Sequence, residues 1–257
     1  MSEPLKERHP SLYFPDGDIA LSAKTAAGVT QIFRVDRIFL SRHSEIFRDL
    51  LTVSSDKIRY AETYDGIPLV VMPTDDTAED VSCLLDVMYN IGALYRILSS
   101  PLRADTPMAT AGLMKMAKKY IVKDIEASVV QHIASEWPTT LKEWDKRSLE
   151  LQETPSSTQR SHPEPVSTIQ FLHAHGEKEA TPYAAFYQLC ITPVNMTSPS
   201  SPPSPTPSPN MTARWALLNA RDALILMQGK ATMASYAWKE INAILSNLLH
   251  HHAPNSV

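Results

Sequence analysis

The chain has 257 residues, 43% of them hydrophobic, and a formal net charge of −4 with acids and bases mixed along its length. That is apolar material for one domain plus extra helices or for two small domains, and the even mixture of charge excludes the concentrated basic face on which nucleic-acid affinity rests. Two distant cysteines, Cys83 and Cys190, point to a reducing compartment, and seven Gly against twenty Pro favour stiff linkers over phosphate-cradling loops.

Met1 to Pro10 is charged and has no apolar core, so residues 1–15 read as an N-terminal tail and not as a signal peptide. Asp16-Gly17-Asp18 is a turn signal, and the alternation of Ile19 to Ala23 predicts a strand. Gly28 marks the next turn, and Gln31 to Val35 completes a hairpin. Asp36 is placed to cap a short helix over Arg37 to Ser41. Ser44 is placed to cap another through Leu51, with Ile46, Phe47, Leu50 and Leu51 on one face.

Asp56 to Pro68 is polar and reads as an exposed loop, and Leu69 to Met72 as a buried strand stopped by Pro73. Thr77 with Asp80 resembles a capping box for a helix to Tyr89, with Val81, Leu84, Leu85 and Met88 inward. Asn90 to Pro107 reads as a connection with room for a short helical turn. A helical pair follows, Met108 to Tyr120 with Leu113, Ala117 and Tyr120 on one face, then Asp124 to Trp137 with Ile125, Val129 and Ile133.

Leu141 to Leu151, Thr168 to Ala174 and Pro182 to Ile191 have helical spacing, and a polar stretch runs from Gln152 to Pro165. Pro193 to Pro209 alternates Pro with Ser and Thr, a composition without material for a packed core, and predicts a linker. Thr212 begins a helix to Gln228, and Met233 to His250 makes a last one with Ala237, Ile241, Ile244, Leu245 and Leu248 as its stripe. No apolar run approaches the ~20 residues of a membrane span. A hairpin, a later strand and then helices alone indicate an α+β fold, a small sheet covered by helices and followed by a helical C-terminal region.

This order, and the spaced residues within it, resemble the BTB/POZ family. Asp16-Gly17-Asp18-Ile19-Ala20-Leu21 and Phe33 through Leu50 are similar to the family pattern of an Asp before the first hairpin strand, then Phe-x-x-His-Lys/Arg-x-x-Leu and Ser-x-x-Phe. Asp36 stands where the family's usual His lies, so nothing said of that His transfers. Tyr64 to Leu69, Asp75 to Asp80 and Trp137 to Asp145 are similar to the fungal, basidiomycete-type branch. The resemblance implies a BTB/POZ-like domain over residues 16–122, a helical extension with a polar insertion over 123–192, a Pro/Ser-rich linker over 193–211 and C-terminal helices over 212–257.

It also implies a protein-interaction adaptor that pairs with itself or another BTB protein; the composition and motifs in turn predict a place in the cytoplasm, the nucleus or both, with no nucleic acid, no membrane and no cofactor. Asp18, Arg37, Phe39, Arg42, His43 and Arg48 lie where the family pairs and are the candidate interface. Ile38, Phe39, Leu40, Ile46 and Phe47 would supply its apolar area. Asp18 is equally readable as a residue hydrogen-bonded to the backbone at the start of a strand, and Phe39 as a core residue.

An alternative is a substrate receptor for a cullin ubiquitin ligase. It asks for an apolar-x-Glu motif after the helix ending near Tyr89, and Asn90-Ile91-Gly92-Ala93 supplies no Glu. A third reading, an enzyme, needs converging titratable groups; no phosphate loop, nucleophile elbow or dinucleotide fingerprint is present. Cys83 reads as a small buried hydrophobe. His173 with His175, and His250 to His252, read as polar helix ends rather than metal ligands. The cluster Asp75, Asp76, Glu79 and Asp80 reads as acids at a helix N-terminus. Ser198, Ser201, Ser204, Thr206 and Ser208 each precede Pro and are candidate phosphorylation sites, with a plain spacer as the other reading.

Overall fold

The computed structural model describes residues 6–56, 62–98, 106–153, 163–175, 182–192 and 213–251. Within them the chain divides into two compact units, the first ending at Ile133 and the second running from Ala134.

The first unit holds five strands: β1 (Lys6–Tyr13), β2 (Ile19–Lys24), β3 (Thr30–Val35), β4 (Thr63–Tyr64) and β5 (Ile67–Val71), in the order β1-β3-β2-β5-β4. As expected, β2 and β3 form an antiparallel hairpin, from Ile19 opposite Val35 to Lys24 opposite Thr30. The expected third strand joins the same sheet, with Ala20, Leu21 and Ser22 of β2 parallel to Leu69, Val70 and Val71 of β5. The central strand β2 is buried on both faces from Ile19 to Ala23. Gly17 lets the chain turn into it, because a Cβ there would lie 2.9 Å from the Val35 nitrogen.

Two strands correct the sequence reading. Residues 6–13 are not a tail: β1 runs parallel to β3 at the sheet edge, with a register shift between Arg8 and Tyr13 around Pro10. Pro is tolerated on an edge strand, where no ladder hydrogen bond is lost. His9 fixes the strand from the side, stacking on Phe33 at 5.1 Å and meeting Ser82 Oγ at 3.0 Å through Nε2, while its Nδ1 accepts the Leu12 N–H. Burial lowers the pKa of this ring. The predicted loop to Pro68 ends in the β4–β5 hairpin, turned by Asp65 (φ 50°) and Gly66 (φ 76°). Two successive positive φ values are what a type I′ turn requires, and Asp-Gly supplies them.

Seven helices complete the first unit: α1 (Arg37–His43), α2 (Glu45–Asp56), α3 (Ala78–Tyr89), α4 (Ile91–Leu98), α5 (Thr106–Ala109), α6 (Ala111–Lys119) and α7 (Lys123–Ser135), the last of which runs past Ile133. The stretch expected as a connection from Asn90 therefore contains a full helix. Val81, Leu84, Leu85, Leu113, Ala117, Tyr120, Ile125, Val129 and Ile133 are all buried, as their spacing requires. Thr77 caps α3 as read, accepting the Asp80 N–H at 3.2 Å.

The second unit holds α8 (Leu141–Glu153), α9 (Pro165–His175), α10 (Pro182–Ile191), a 3-10 turn at Trp215–Leu217 and α11 (Ala220–His251). Its core gathers Trp137, Val166, Ile169, Ala185, Leu189, Ala213 and Leu226. The two C-terminal helices expected from the sequence are one helix of 32 residues. Its cap is Asn219, whose Oδ1 accepts the Asp222 N–H at 2.9 Å; Thr212 lies outside the described residues. The stripe residues Ala237, Ile241 and Ile244 are exposed.

Candidate protein-interaction surface

Helices α1 and α2 pack on each other, and their exposed faces carry most of the candidate interface. On α1, Leu40 is buried and Ile38 is 67% exposed, one turn from the exposed Arg42. On α2, Phe47 and Leu51 go to the core, while Ile46 and Leu50 are 38% and 41% exposed. The expected apolar set thus divides. Leu40 and Phe47 hold the fold, Ile38 and Ile46 face outward, and Leu50 joins them.

Residues at i and i+4 share a helix face, so Phe47 with Leu51 and Ile46 with Leu50 are equally good candidates for the core. Ser44 and Tyr120 decide between them. Ser44 Oγ accepts the Phe47 N–H at 3.0 Å, capping α2 as read, and donates to the Tyr120 carbonyl at 2.5 Å. The Tyr120 ring then stacks on Phe47 at 4.5 Å.

Asp36 does not cap α1 with its side chain. Its N–H donates to the Tyr89 hydroxyl at 2.9 Å, and its carboxylate accepts that hydroxyl's proton at 3.2 Å. Burial holds the Tyr89 phenol well above the ordinary range. The cap comes instead from Asp18, whose Oδ1 accepts the Arg37 N–H at 2.7 Å, with the Arg37 guanidinium 3.9 Å from Oδ2. Of the two readings of Asp18, this geometry is the backbone-bonded one. Phe39 is half-buried, with its ring 4.3 Å from Tyr89 and 4.6 Å from His43.

His43, Arg42 and Arg48 are exposed, and Arg48 lies 3.9 Å from Asp49. Glu45 pairs with Lys123 at 3.1 Å. The face therefore has an aliphatic element in Ile38, Ile46 and Leu50, with charges of both signs around it.

The acidic cluster at the start of α3 has more partners than the helix dipole. Asp76, whose side chain is wholly buried, accepts from Lys119 Nζ at 2.7 Å and from the Tyr120 hydroxyl at 2.6 Å. Asp75 takes Lys119 at 2.9 Å, and Asp80 takes Lys115 at 3.2 Å. Burial and Asp76 raise the Tyr120 phenol, and Lys119 lowers the Asp75 carboxyl. This is a clamp between α3 and α6, which approach closely enough that a Cβ on Gly112 would sit 2.5 Å from an Asp80 oxygen.

Neither cysteine is activated: burial raises the thiol pKa of both Cys83 and Cys190. Among the described residues no group of three His, Cys, Asp or Glu side chains is placed to hold a metal ion. Among them also, no single helix is long and apolar enough to cross a membrane.

Residues 17–136 match the model of the BTB/POZ domain family. This part of the chain is a BTB/POZ domain. Its mixed sheet of five strands covered by helices is the α+β arrangement expected from the sequence. A BTB/POZ domain is a protein-protein interaction module and not a catalytic one. Comparison with curated proteins finds no match. The candidate phosphorylation positions Ser198, Ser201, Ser204, Thr206 and Ser208, like His252, lie outside the described residues.

Proposed function

We propose that the chain is an adaptor that self-associates, or pairs with another BTB/POZ chain, through α1 and α2. The observation that carries this is the outward aliphatic set Ile38, Ile46 and Leu50 on two helices packed together. Burying it supplies about 25 cal/mol per Å² of apolar area, while Arg42, Arg48, Glu45 and Asp49 set register and partner choice.

A symmetric pair uses the same patch twice, so each arginine needs an acid from the other copy. Asp49 is one such acid. Glu45 is a second, because its exposed pair with Lys123 is worth at most ~1 kcal/mol and exchanges readily. A more acidic BTB/POZ chain would answer the arginines better, and hetero-pairing is the form of this reading that it favours.

Sedimentation velocity of the full chain tests the reading. The wild type should associate at tens of micromolar or with a co-purifying BTB/POZ chain. Arg42→Glu with Arg48→Glu should weaken association by about tenfold or more, and Ile38→Ser with Leu50→Ser should do the same. A strictly monomeric wild type with no co-purifying partner overturns it.

A further inference from the structure

Helices α9, α10 and α11 line an open cleft of about 600 Å³ in the second unit. That is within the ~300–1,000 Å³ of small-molecule sites, which are mostly apolar with a few converging polar groups. Phe186, Tyr187, Ile225 and Met233 supply apolar and aromatic wall, and His173 and Cys190 supply polar atoms.

Two features bear on this cleft, one on its wall and one behind it. The first is Gly229, inside α11 and on the cleft wall. A glycine in a helix interior costs roughly 0.5–1 kcal/mol relative to Ala. Gly229 does not adopt positive φ, and a Cβ there would meet only Cys190 Sγ, at an ordinary 3.7 Å. Neither a turn nor a close approach requires it. What the missing side chain leaves is room in the cleft.

The second is Asp222. Its side chain is wholly buried, and Oδ2 accepts from Asn219 Nδ2 at 2.7 Å. Oδ1 has no hydrogen-bond partner and lies 3.6 Å from His173 Nδ1. Uncompensated buried carboxylates are costly, and the His173 ring, when protonated, is a counter-group for this one. With Nδ1 turned to Asp222, Nε2 is the ring nitrogen left for the cleft. When the ring is protonated, that N–H fits an acceptor of negative charge.

We propose that this cleft binds a small planar aromatic acid. The rings lie among Phe186, Tyr187 and Met233, and the acid group accepts from His173 Nε2. The site is in a different unit from the BTB/POZ pairing surface and does not depend on it.

Fluorescence titration of the full chain tests this with 1-anilinonaphthalene-8-sulfonate and its neutral analogue N-phenyl-1-naphthylamine. The sulfonate should bind saturably at one site. Gly229→Leu should weaken it about tenfold or more by filling the cleft, without lowering the melting temperature. His173→Gln should weaken the sulfonate about three- to tenfold and the neutral dye less than about twofold. Alkylation by iodoacetamide, read by mass spectrometry, gives a measurement that needs no variant: the sulfonate should slow modification of Cys190 and not of Cys83. Binding unchanged in Gly229→Leu, equal losses for both dyes in His173→Gln, or no protection of Cys190 overturns the proposal.

Discussion

Each unit buries a carboxylate that ties distant segments together, and the two are satisfied in different ways. In the BTB/POZ unit, Asp76 is held by side chains 43 and 44 residues away, the Lys119 ammonium and the Tyr120 hydroxyl. In the second unit, Glu164 is 3% exposed and is held largely by backbone. Its Oε1 accepts the Val166 N–H at 3.2 Å and the Arg214 N–H at 2.9 Å, and its Oε2 accepts the Ser167 N–H at 2.7 Å. The Ser167 hydroxyl adds a further bond at 2.5 Å. The first residues of a helix have unpaired N–H groups and a positive dipole end, so a carboxylate at the start of α9 needs no cation. Asp76 precedes α3 too, but the N–H of Asp80 is taken by Thr77. Its charge is answered from α6 instead.

The largest expected effect follows from that difference. Removing one partner of a buried ion pair strands the other and costs about 3–5 kcal/mol. Asp76→Ala should therefore lower the stability of the first unit by about 3 kcal/mol, because it leaves the Tyr120 hydroxyl buried with no acceptor. Urea unfolding can separate the units spectroscopically. All four tryptophans, Trp137, Trp144, Trp215 and Trp238, belong to the second unit, whereas far-UV circular dichroism reports both. The loss should show in the dichroism. Asp76→Asn should recover little of it, since an amide keeps one acceptor but brings its own donors towards Lys119.

Glu164→Ala should cost less, about 2 kcal/mol, the upper range for a lost helix cap, and should move the tryptophan transition. Glu164→Gln should recover about half of this, because an amide oxygen still accepts from N–H groups. A rescue by Asn at residue 76 as complete as the rescue by Gln at residue 164 would break the comparison.

How much of this was legible follows from where each signal resides. The β2–β3 hairpin and the inward faces of α3, α6 and α7 are written in local periodicity, and all were readable. Edge strand β1 was not, because Lys6 to Tyr13 pairs on one side only and carries charges and a proline instead of alternation. The β4–β5 hairpin was missed although Asp65-Gly66 is a strong hairpin signal, since β4 has only two residues on which alternation could show. The cap of α8 was also written locally: Glu143 accepts the Thr139 and Thr140 N–H groups, and Thr140 Oγ1 accepts the Glu143 N–H. The one-helix nature of α11 was hidden by Gly229, which reads as punctuation and is tolerated within the helix.

The candidate interaction surface was half legible. Its segments followed from the family pattern, but the phase of α2 depends on Tyr120, whose ring arrives from 73 residues away. The clamp around Asp76 was invisible for the same reason. Acids at a helix start have a sufficient local explanation, and nothing local names Lys119 as their partner.

The smallest effect sharpens the contrast between buried and exposed charge within the BTB/POZ domain itself. Lys119 and Lys123 are four residues apart, and each contacts a carboxylate at hydrogen-bonding distance, 2.7 Å to Asp76 and 3.1 Å to Glu45. Distance alone would rank them alike. The Asp76 side chain, however, is 0% exposed, whereas Lys123 and Glu45 are 72% and 48% exposed. Water screens the second pair, and holding two long side chains together offsets the attraction, so exposed pairs contribute ~0–1 kcal/mol. Lys123→Ala should shift the dichroism transition by less than about 0.5 kcal/mol, and by less still at 1 M salt, where the screening length falls to ~3 Å. Lys119→Ala should cost several times more and should respond only weakly to salt. Equal losses in the two variants, or equal salt dependence, would show that the burial of Asp76 is not what gives the clamp its strength.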